Sequence, residues 1–96
     1  NAINFYVERN IKKNSKFIKD KKKYILNKLF FNQPEEIVFR SISIILRKIG
    51  EKYYFPRGKS ILDVILKIKV NKFSKITLGG CYIEKINETI LITKEN

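Results

Sequence analysis

Apolar residues recur at helical spacing in three parts of the chain. Over residues 3–17 the spacing predicts a first helix, which we expect to end near Asn14. Residues 34–49 and 61–70 have the same period and predict two more helices. Residues 24–31 form a short segment rich in aromatic and branched side chains. This composition favours a strand, although the period alone does not exclude a helix.

The second helix has the clearest boundaries in the sequence. Asn32 or Gln33 is placed to cap it, Pro34 suits its first turn, and the two glutamates that follow lie at the positive end of the helix dipole. Gly50 is a good C-terminal residue because glycine tolerates positive φ. Apolar residues cover most of the circumference, so we expect this helix to form the buried centre of the fold.

The chain after residue 55 predicts a third helix and a hairpin. The helix should begin within residues 56–60. The apolar alternation after it changes parity across Gly79-Gly80, which predicts a β-bulge, and a turn at Asn87-Glu88 returns the chain. Residues 24–31 would add one strand. The sequence therefore predicts a small α+β domain, with about three helices packed on a short antiparallel sheet of two or three strands.

The length of 96 residues limits the chain to one domain with one modest core. We expect residues 32–96 to form a helix–helix–hairpin core, and residues 3–31 to add the first helix, a basic tract and a weak strand. The chain contains no methionine, so we interpret it as a piece of a longer protein, with residues 1–2 left from an expression tag.

The charge of the chain is strongly positive, since 21 Lys and Arg residues against 9 Asp and Glu residues give a formal net charge of +12. This balance favours binding to a polyanion, because neutralising phosphates releases counterions. Nine basic residues and one acidic residue lie within residues 9–28. The lysines of residues 16–23, above all Lys21, Lys22 and Lys23, are candidates for following a phosphate backbone. The alternative, a solvated run in a lysine-rich chain, remains open.

Several kinds of site are excluded by residue type. The chain has no histidine, and Cys81 is its single cysteine, so residues for an internal disulfide or a zinc site are lacking. Without a base to activate it, Cys81 is expected to be a small buried residue of a bulged strand. No apolar run reaches the ~18 residues that cross a bilayer, and no signal peptide is recognisable. We therefore expect a cytoplasmic chain that binds neither a membrane nor a cofactor.

One side of the second helix stays polar. Four residues line up there at spacings of four, three and four positions: Glu36, Arg40, Ser43 and Arg47. This polar stripe must face water or a ligand, and its two arginines suit bidentate contacts with phosphates. An ion pair with Glu36 is the alternative role for Arg40, and one side chain can do both.

Further candidates lie close to the stripe in sequence. Lys48 follows it, and Arg57 and Lys59 lie at the start of the third helix. Tyr53 and Tyr54, in the connection between the two helices, have ring faces on which unpaired bases can stack. Packing against the core is the alternative role for both tyrosines.

Several of these features, in the order in which they occur, resemble the region behind the catalytic domain of bacterial tRNA(Ile)-lysidine synthetase. The likeness covers about the last two thirds of the chain, with the spacing intact. The features that carry it are the helix with Arg40, its end at Ile49-Gly50, the entry Phe55-Pro56-Arg57 to the next helix, Thr77-Leu78-Gly79-Gly80-Cys81, and the hairpin ending in Thr93-Lys94-Glu95.

The resemblance implies a parent enzyme that uses ATP, with magnesium, to attach lysine to the first anticodon cytidine of isoleucine tRNA. That family's ATP site is a Ser-Gly-Gly-x-Asp-Ser loop, whereas Gly79-Gly80 here lacks the serines and the aspartate. The resemblance therefore implies a non-catalytic accessory domain that binds tRNA beside the catalytic domain of the same parent chain. Its tRNA contacts would be the candidates named above: Arg40, Arg47, Lys48, Arg57, Lys59, Lys21, Lys22, Lys23, Tyr53 and Tyr54.

Two other functions remain open from the sequence. Charge and aromatic content alone also fit a general RNA- or DNA-binding module that is unrelated to the ligase. A structural spacer, which orients neighbouring domains and contacts RNA little, is the third possibility.

Overall fold

Helices and strands alternate in blocks along the chain. The computed structural model describes residues 1–51, 56–71 and 73–95. In chain order the elements are α1 (Ala2–Asn14), β1 (Ser15–Ile18), β2 (Lys23–Leu26), a 3-10 helix (Lys28–Asn32), α2 (Glu35–Gly50), α3 (Gly58–Lys69), β3 (Lys75–Leu78), β4 (Cys81–Ile86) and β5 (Thr89–Lys94). The described strands form one antiparallel sheet in the order β1-β2-β5-β4-β3. None of the described helices is long and apolar enough to pass through a bilayer.

The prediction of a sheet with two or three strands was wrong, because the described residues form five. One strand was missed in the basic tract, where Ser15 pairs with Leu26 and Ile18 with Lys23. Lysine has a low strand propensity, so the tract carries little strand signal of its own. Tertiary pairing overrides that propensity, since β2 is also held on its other side by β5.

The second missed strand comes from the Gly79-Gly80 pair, which forms a turn rather than the predicted β-bulge. Both glycines have positive φ, 62° and 79°, and Leu78 pairs directly with Cys81 across them. Two consecutive positive φ values are the geometry of a tight two-residue hairpin turn, which reverses the chain. The parity change in the sequence therefore marks the end of β3 and the start of β4.

Residues 24–31 were predicted as one strand, and only their first part is one. β2 ends at Leu26. It pairs with β5, as predicted for a third strand that extends the C-terminal hairpin. The side chain of Asn27 then accepts a hydrogen bond from the backbone N–H of Phe30 at 3.1 Å and caps the 3-10 helix. This turn buries Phe30 and Phe31 in the core.

α2 is the central buried helix and ends at Gly50, as predicted, but the caps at its two ends differ from the prediction. Pro34, rather than Asn32 or Gln33, takes the capping position, without a side-chain hydrogen bond. At the other end Glu51 has the left-handed conformation, with φ 55°, while Gly50 stays in the helix. Gly50 is needed for a close approach instead, since a β-carbon there would lie 2.2 Å from the carbonyl oxygen of Gly79.

A buried polar network holds α1 against α2. The Asn10 side-chain amide donates to the backbone oxygen of Phe30 at 3.3 Å and to the Ser41 hydroxyl oxygen at 3.2 Å. Ser41 in turn donates to the backbone oxygen of Ile37, and Asn14 donates to Asn10 Oδ1. Because buried polar groups are costly unless paired, this network fixes the position of α1 along α2.

The helices pack on one face of the sheet, and the other face is open. Along β4 and β5 the buried residues alternate with half-buried ones, so the half-buried side chains point away from the helices. On this open face the Lys75 ammonium lies 4.2 Å from the centre of the Tyr82 ring. The sequence offers no signal for this pair except the alternation of residues 75–78 and 81–86.

Candidate nucleic-acid interface

The structure contains the predicted polar stripe of α2. It also contains the ion pair with Glu36 that was the alternative role for Arg40. Glu36 Oε1 accepts hydrogen bonds from Arg40 Nη2 at 3.0 Å and from Arg40 Nε at 3.3 Å. The Arg40 side chain is still 48 % exposed. Ser43 donates back to the backbone oxygen of Phe39 at 2.8 Å, and Arg47 is exposed one turn further on. The stripe therefore presents an arginine already oriented by a carboxylate.

The start of α3 adds positive charge. Arg57 is the residue before the helix, Lys59 lies in its first turn, and both are exposed. That first turn contains no acidic residue, and no side chain caps it. The first backbone N–H groups of a helix carry partial positive charge, so two cations beside them make this end of α3 attractive to an anion.

The structure brings the start of α3 next to the stripe of α2. A β-carbon on Gly58 would lie 3.4 Å from the Phe39 ring, so the two helices are in contact there. Between α1, α2 and the start of α3 lies an open cleft with a volume of about 390 Å³. It is lined by Asn4, Val7, Glu36, Phe39, Arg40, Ser43, Ile44, Pro56 and Ile61. Of the predicted contact residues, Arg40 lines this cleft, and Arg57 follows its wall residue Pro56 in the chain.

Lys48 lies apart from the stripe. One residue turns the helix by about 100°, so Lys48 points away from Arg47 and toward the β1–β2 hairpin. Its ammonium donates to the Tyr24 hydroxyl at 3.1 Å and lies 4.3 Å from the centre of the Phe17 ring. These contacts give Lys48 a packing role between α2 and the sheet.

The three lysines of the hairpin have different surroundings. Lys21 is exposed in the turn, and Lys23 is half-buried in β2. Lys22 forms an ion pair with Glu51, which also accepts from Lys94 at 2.6 Å. The hydrogen bond from Lys22, followed by that from Lys94, lowers the pKa of Glu51 to about 2.

Glu51 and Lys94 were missed by sequence reasoning. They lie 43 residues apart in the chain, and Lys22 is 29 residues from Glu51. No local spacing connects positions so far apart, so the cluster depends on the strand order of the sheet. Tyr53 and Tyr54 lie outside the described residues.

Three of the segments that carry the sequence resemblance meet at one joint, which we call the glycine joint: Gly50, Pro56, Gly79 and Cys81. A β-carbon on Gly79 would lie 2.6 Å from Pro56 Cγ. Together with the contact between Gly50 and the Gly79 oxygen, this places Gly79 between the end of α2 and the residue that leads into α3. Cys81 is 0 % exposed, and its thiol lies 3.4 Å from the backbone oxygen of Leu46. The expectation that Cys81 is a small buried residue is confirmed, although its strand is not bulged.

Comparison with known proteins gives two related sequences. The tRNA(Ile)-lysidine synthase of Wolbachia pipientis wMel is 39 % identical over 69 residues, which are 70 % of this chain and 16 % of that protein. The tRNA(Ile)-lysidine synthase of Wolbachia sp. subsp. Brugia malayi (strain TRS) is 38 % identical over 69 residues, with the same shares. The chain thus spans about one sixth of the length of these relatives. No protein-family profile matches it, and no solved structure matches it significantly.

Proposed function

Since the chain is related to the tRNA(Ile)-lysidine synthases, we propose that it is a non-catalytic, tRNA-binding part of such an enzyme. The proposed parent attaches lysine to the anticodon cytidine of isoleucine tRNA with ATP. The ATP site then belongs to another part of the parent, because the chain contains no Ser-Gly-Gly-x-Asp-Ser loop. The contribution of this chain is to hold the tRNA.

The observation that carries the proposal is a set of cations on two neighbouring helices: Arg40 in the wall of the cleft on α2, and Arg57 and Lys59 at the start of α3. They come from two helices that the glycine joint and the Gly58–Phe39 contact hold together. Within the described parts of the chain, neither Arg57 nor Lys59 forms an ion pair. Their charge is therefore available to phosphates.

The ion pair of Arg40 does not prevent a phosphate contact. An exposed pair at this spacing stabilises a helix by only about 0.3–0.5 kcal/mol. A hydrogen bond from a guanidinium to a phosphate contributes roughly 1.5–3 kcal/mol. The free N–H groups of Arg40 can thus turn to a phosphate while Glu36 keeps the side chain extended, or the pair can open at little cost.

Measuring the salt dependence of tRNA binding tests this proposal. We compare the unsubstituted chain with the double variant Arg40→Ala, Arg57→Ala by fluorescence anisotropy, using isoleucine tRNA at a series of salt concentrations. Losing two phosphate contacts should lower the slope of log affinity against log salt by about 1.4–1.8. At low salt the affinity should fall by at least about tenfold. Lys12→Ala with Lys69→Ala removes the same charge elsewhere and should change both quantities less.

Two outcomes would contradict the proposal. If both double variants lose affinity equally, the binding reflects net charge alone and the cleft cations are not a site. If the chain binds a duplex DNA as tightly as isoleucine tRNA, the alternative of a general nucleic-acid-binding module is favoured.

A further inference from the structure

The cleft between α1, α2 and α3 is apolar inside, and one of its apolar wall residues is exposed. Val7 and Ile61 are buried beneath it, and Phe39 is half-buried. Ile44, by contrast, is 46 % exposed although it lies beside them. The volume of about 390 Å³ falls in the range of small-ligand sites. A bound group with an apolar surface would remove Ile44 from water.

The rim of the cleft is polar and contains both acceptors and donors. Glu36 uses Oε1 for Arg40, and Oε2 has no hydrogen bond within the described residues. The Asn4 side-chain amide likewise has no partner there, and it lies at the rim with the Ser43 hydroxyl. Arg40 belongs to this rim, and Arg57 follows the wall residue Pro56 in the chain. Apolar walls, a hydrogen-bonding rim and flanking cations therefore occur together.

We propose that the cleft binds the base of an unpaired nucleotide of the bound RNA. The proposal rests on the function proposed above and assigns a ligand to that site. The ring faces of a base suit the Phe39 and Ile44 walls, its polar edge suits the rim, and its phosphate suits the cations outside. An apolar side chain of a protein partner would fill the walls but leave the rim groups unpaired, which is unfavourable.

The carboxylate at the rim gives the site a preference among bases. An ionised carboxylate only accepts hydrogen bonds, so Glu36 Oε2 favours a base edge that carries an amino group. Cytosine has such a group at N4, whereas uracil has an acceptor oxygen at that position. Cytidine monophosphate should consequently bind more tightly than uridine monophosphate, by about fivefold or more.

Methyl NMR spectra of the whole chain, titrated with single nucleotides, test this site. Cytidine monophosphate should shift the methyl signals of Val7, Ile44 and Ile61, and uridine monophosphate should do so at concentrations at least about fivefold higher. Inorganic phosphate should leave these methyl signals in place. Unmoved wall methyl signals with both nucleotides would overturn the inference. Equal shifts with N-acetyl-leucine amide would also overturn it, by identifying a docking site for protein.

Two variants sharpen the test. Ser43→Leu places an apolar side chain in the cleft, on a helix that tolerates leucine, and should abolish the nucleotide-induced shifts. Glu36→Gln should reduce the preference for cytidine over uridine. Asp63→Asn is its matched control, because Asp63 forms an equivalent exposed pair with Lys67 on α3, at 3.2 Å. An unchanged preference in Glu36→Gln would overturn the assigned role of the carboxylate.

The failure of this inference can be told apart from the failure of the proposed function. A chain that binds isoleucine tRNA in a salt-dependent manner, but whose wall methyl signals never move, retains the proposed function and loses the base site. A chain that binds no tRNA at low salt loses both.

Discussion

Gly50→Ala should destabilise the fold strongly, although alanine is normally the better helix residue. The new β-carbon would lie 2.2 Å from the Gly79 oxygen and 3.3 Å from the Cys81 sulfur. Ordinary contacts begin at 3.4 Å, so the two backbones must separate by about 1 Å. Neither side yields easily, because one is the last turn of α2 and the other is a tight turn between paired strands.

The magnitude follows from two opposing effects. Overpacking of this kind costs about 1–3 kcal/mol, and a backbone neighbour places it at the upper end. The helix preference for alanine returns up to about 1 kcal/mol. The net loss of about 2 kcal/mol should lower the melting temperature by roughly 8–16 °C for a domain of this size. Thermal unfolding followed by far-UV circular dichroism measures this shift.

Gly58→Ala is the matched control for Gly50→Ala. Its β-carbon would lie 3.4 Å from the Phe39 ring, an ordinary contact, and Gly58 does not have a positive φ. We expect its melting temperature to stay the same or to rise slightly. A Gly50→Ala variant that melts at or above the unsubstituted chain would show that the glycine joint does not require glycine at this position.

Three further perturbations have definite expected results. Glu51→Gln should remove a contribution to stability that is present above the unfolded-state pKa of 4.5 and is lost as the pH falls toward about 2. The urea midpoints of this variant at pH 3 and pH 6 should therefore differ less than those of the unsubstituted chain. The control variant Glu8→Gln should not reproduce this change. Asn10→Ala should lower the free energy of unfolding in urea by about 1–3 kcal/mol, because the buried backbone oxygen of Phe30 loses its side-chain donor. For the control Lys12→Ala we expect a change within ~0.5 kcal/mol. A change that small in Asn10→Ala would contradict the role of the buried network. Lys48→Met should lower the melting temperature and leave tRNA affinity nearly unchanged; the opposite pattern would return Lys48 to the RNA-binding surface.

Helices were predicted better than strands for a physical reason. A helix closes its hydrogen bonds within one segment, so the apolar period and the flanking Pro and Gly residues contain most of the information about it. α1 ends at Asn14, as predicted, and α3 begins within residues 56–60, as predicted. A strand needs a partner from elsewhere in the chain. β1 exists because β2 lies beside it, and nothing in its own composition indicates that partner.

The candidate site was predictable only where it depends on residues close together in the sequence. The stripe with Arg40 and the ion pair with Glu36 depend on positions four residues apart on one helix, and both are present. The cleft was not predictable, because its walls come from three helices and its shape depends on the Gly58–Phe39 contact. The separation of Lys48 from Arg47 was predictable from the helical period alone, because neighbouring residues of a helix point in different directions.

The glycine joint connects the relationship with the lysidine synthases to the proposed site. Gly50 ends α2, Pro56 leads into α3, and both contact Gly79 of the β3–β4 turn. This turn therefore sets the direction in which α3 leaves α2, and with it the distance between Arg57 and Arg40. Residues that bind no RNA themselves can be required in this way for the placement of those that do. The salt dependence of the Arg40, Arg57 double variant is the measurement that tests whether the cations placed by this joint contact phosphates.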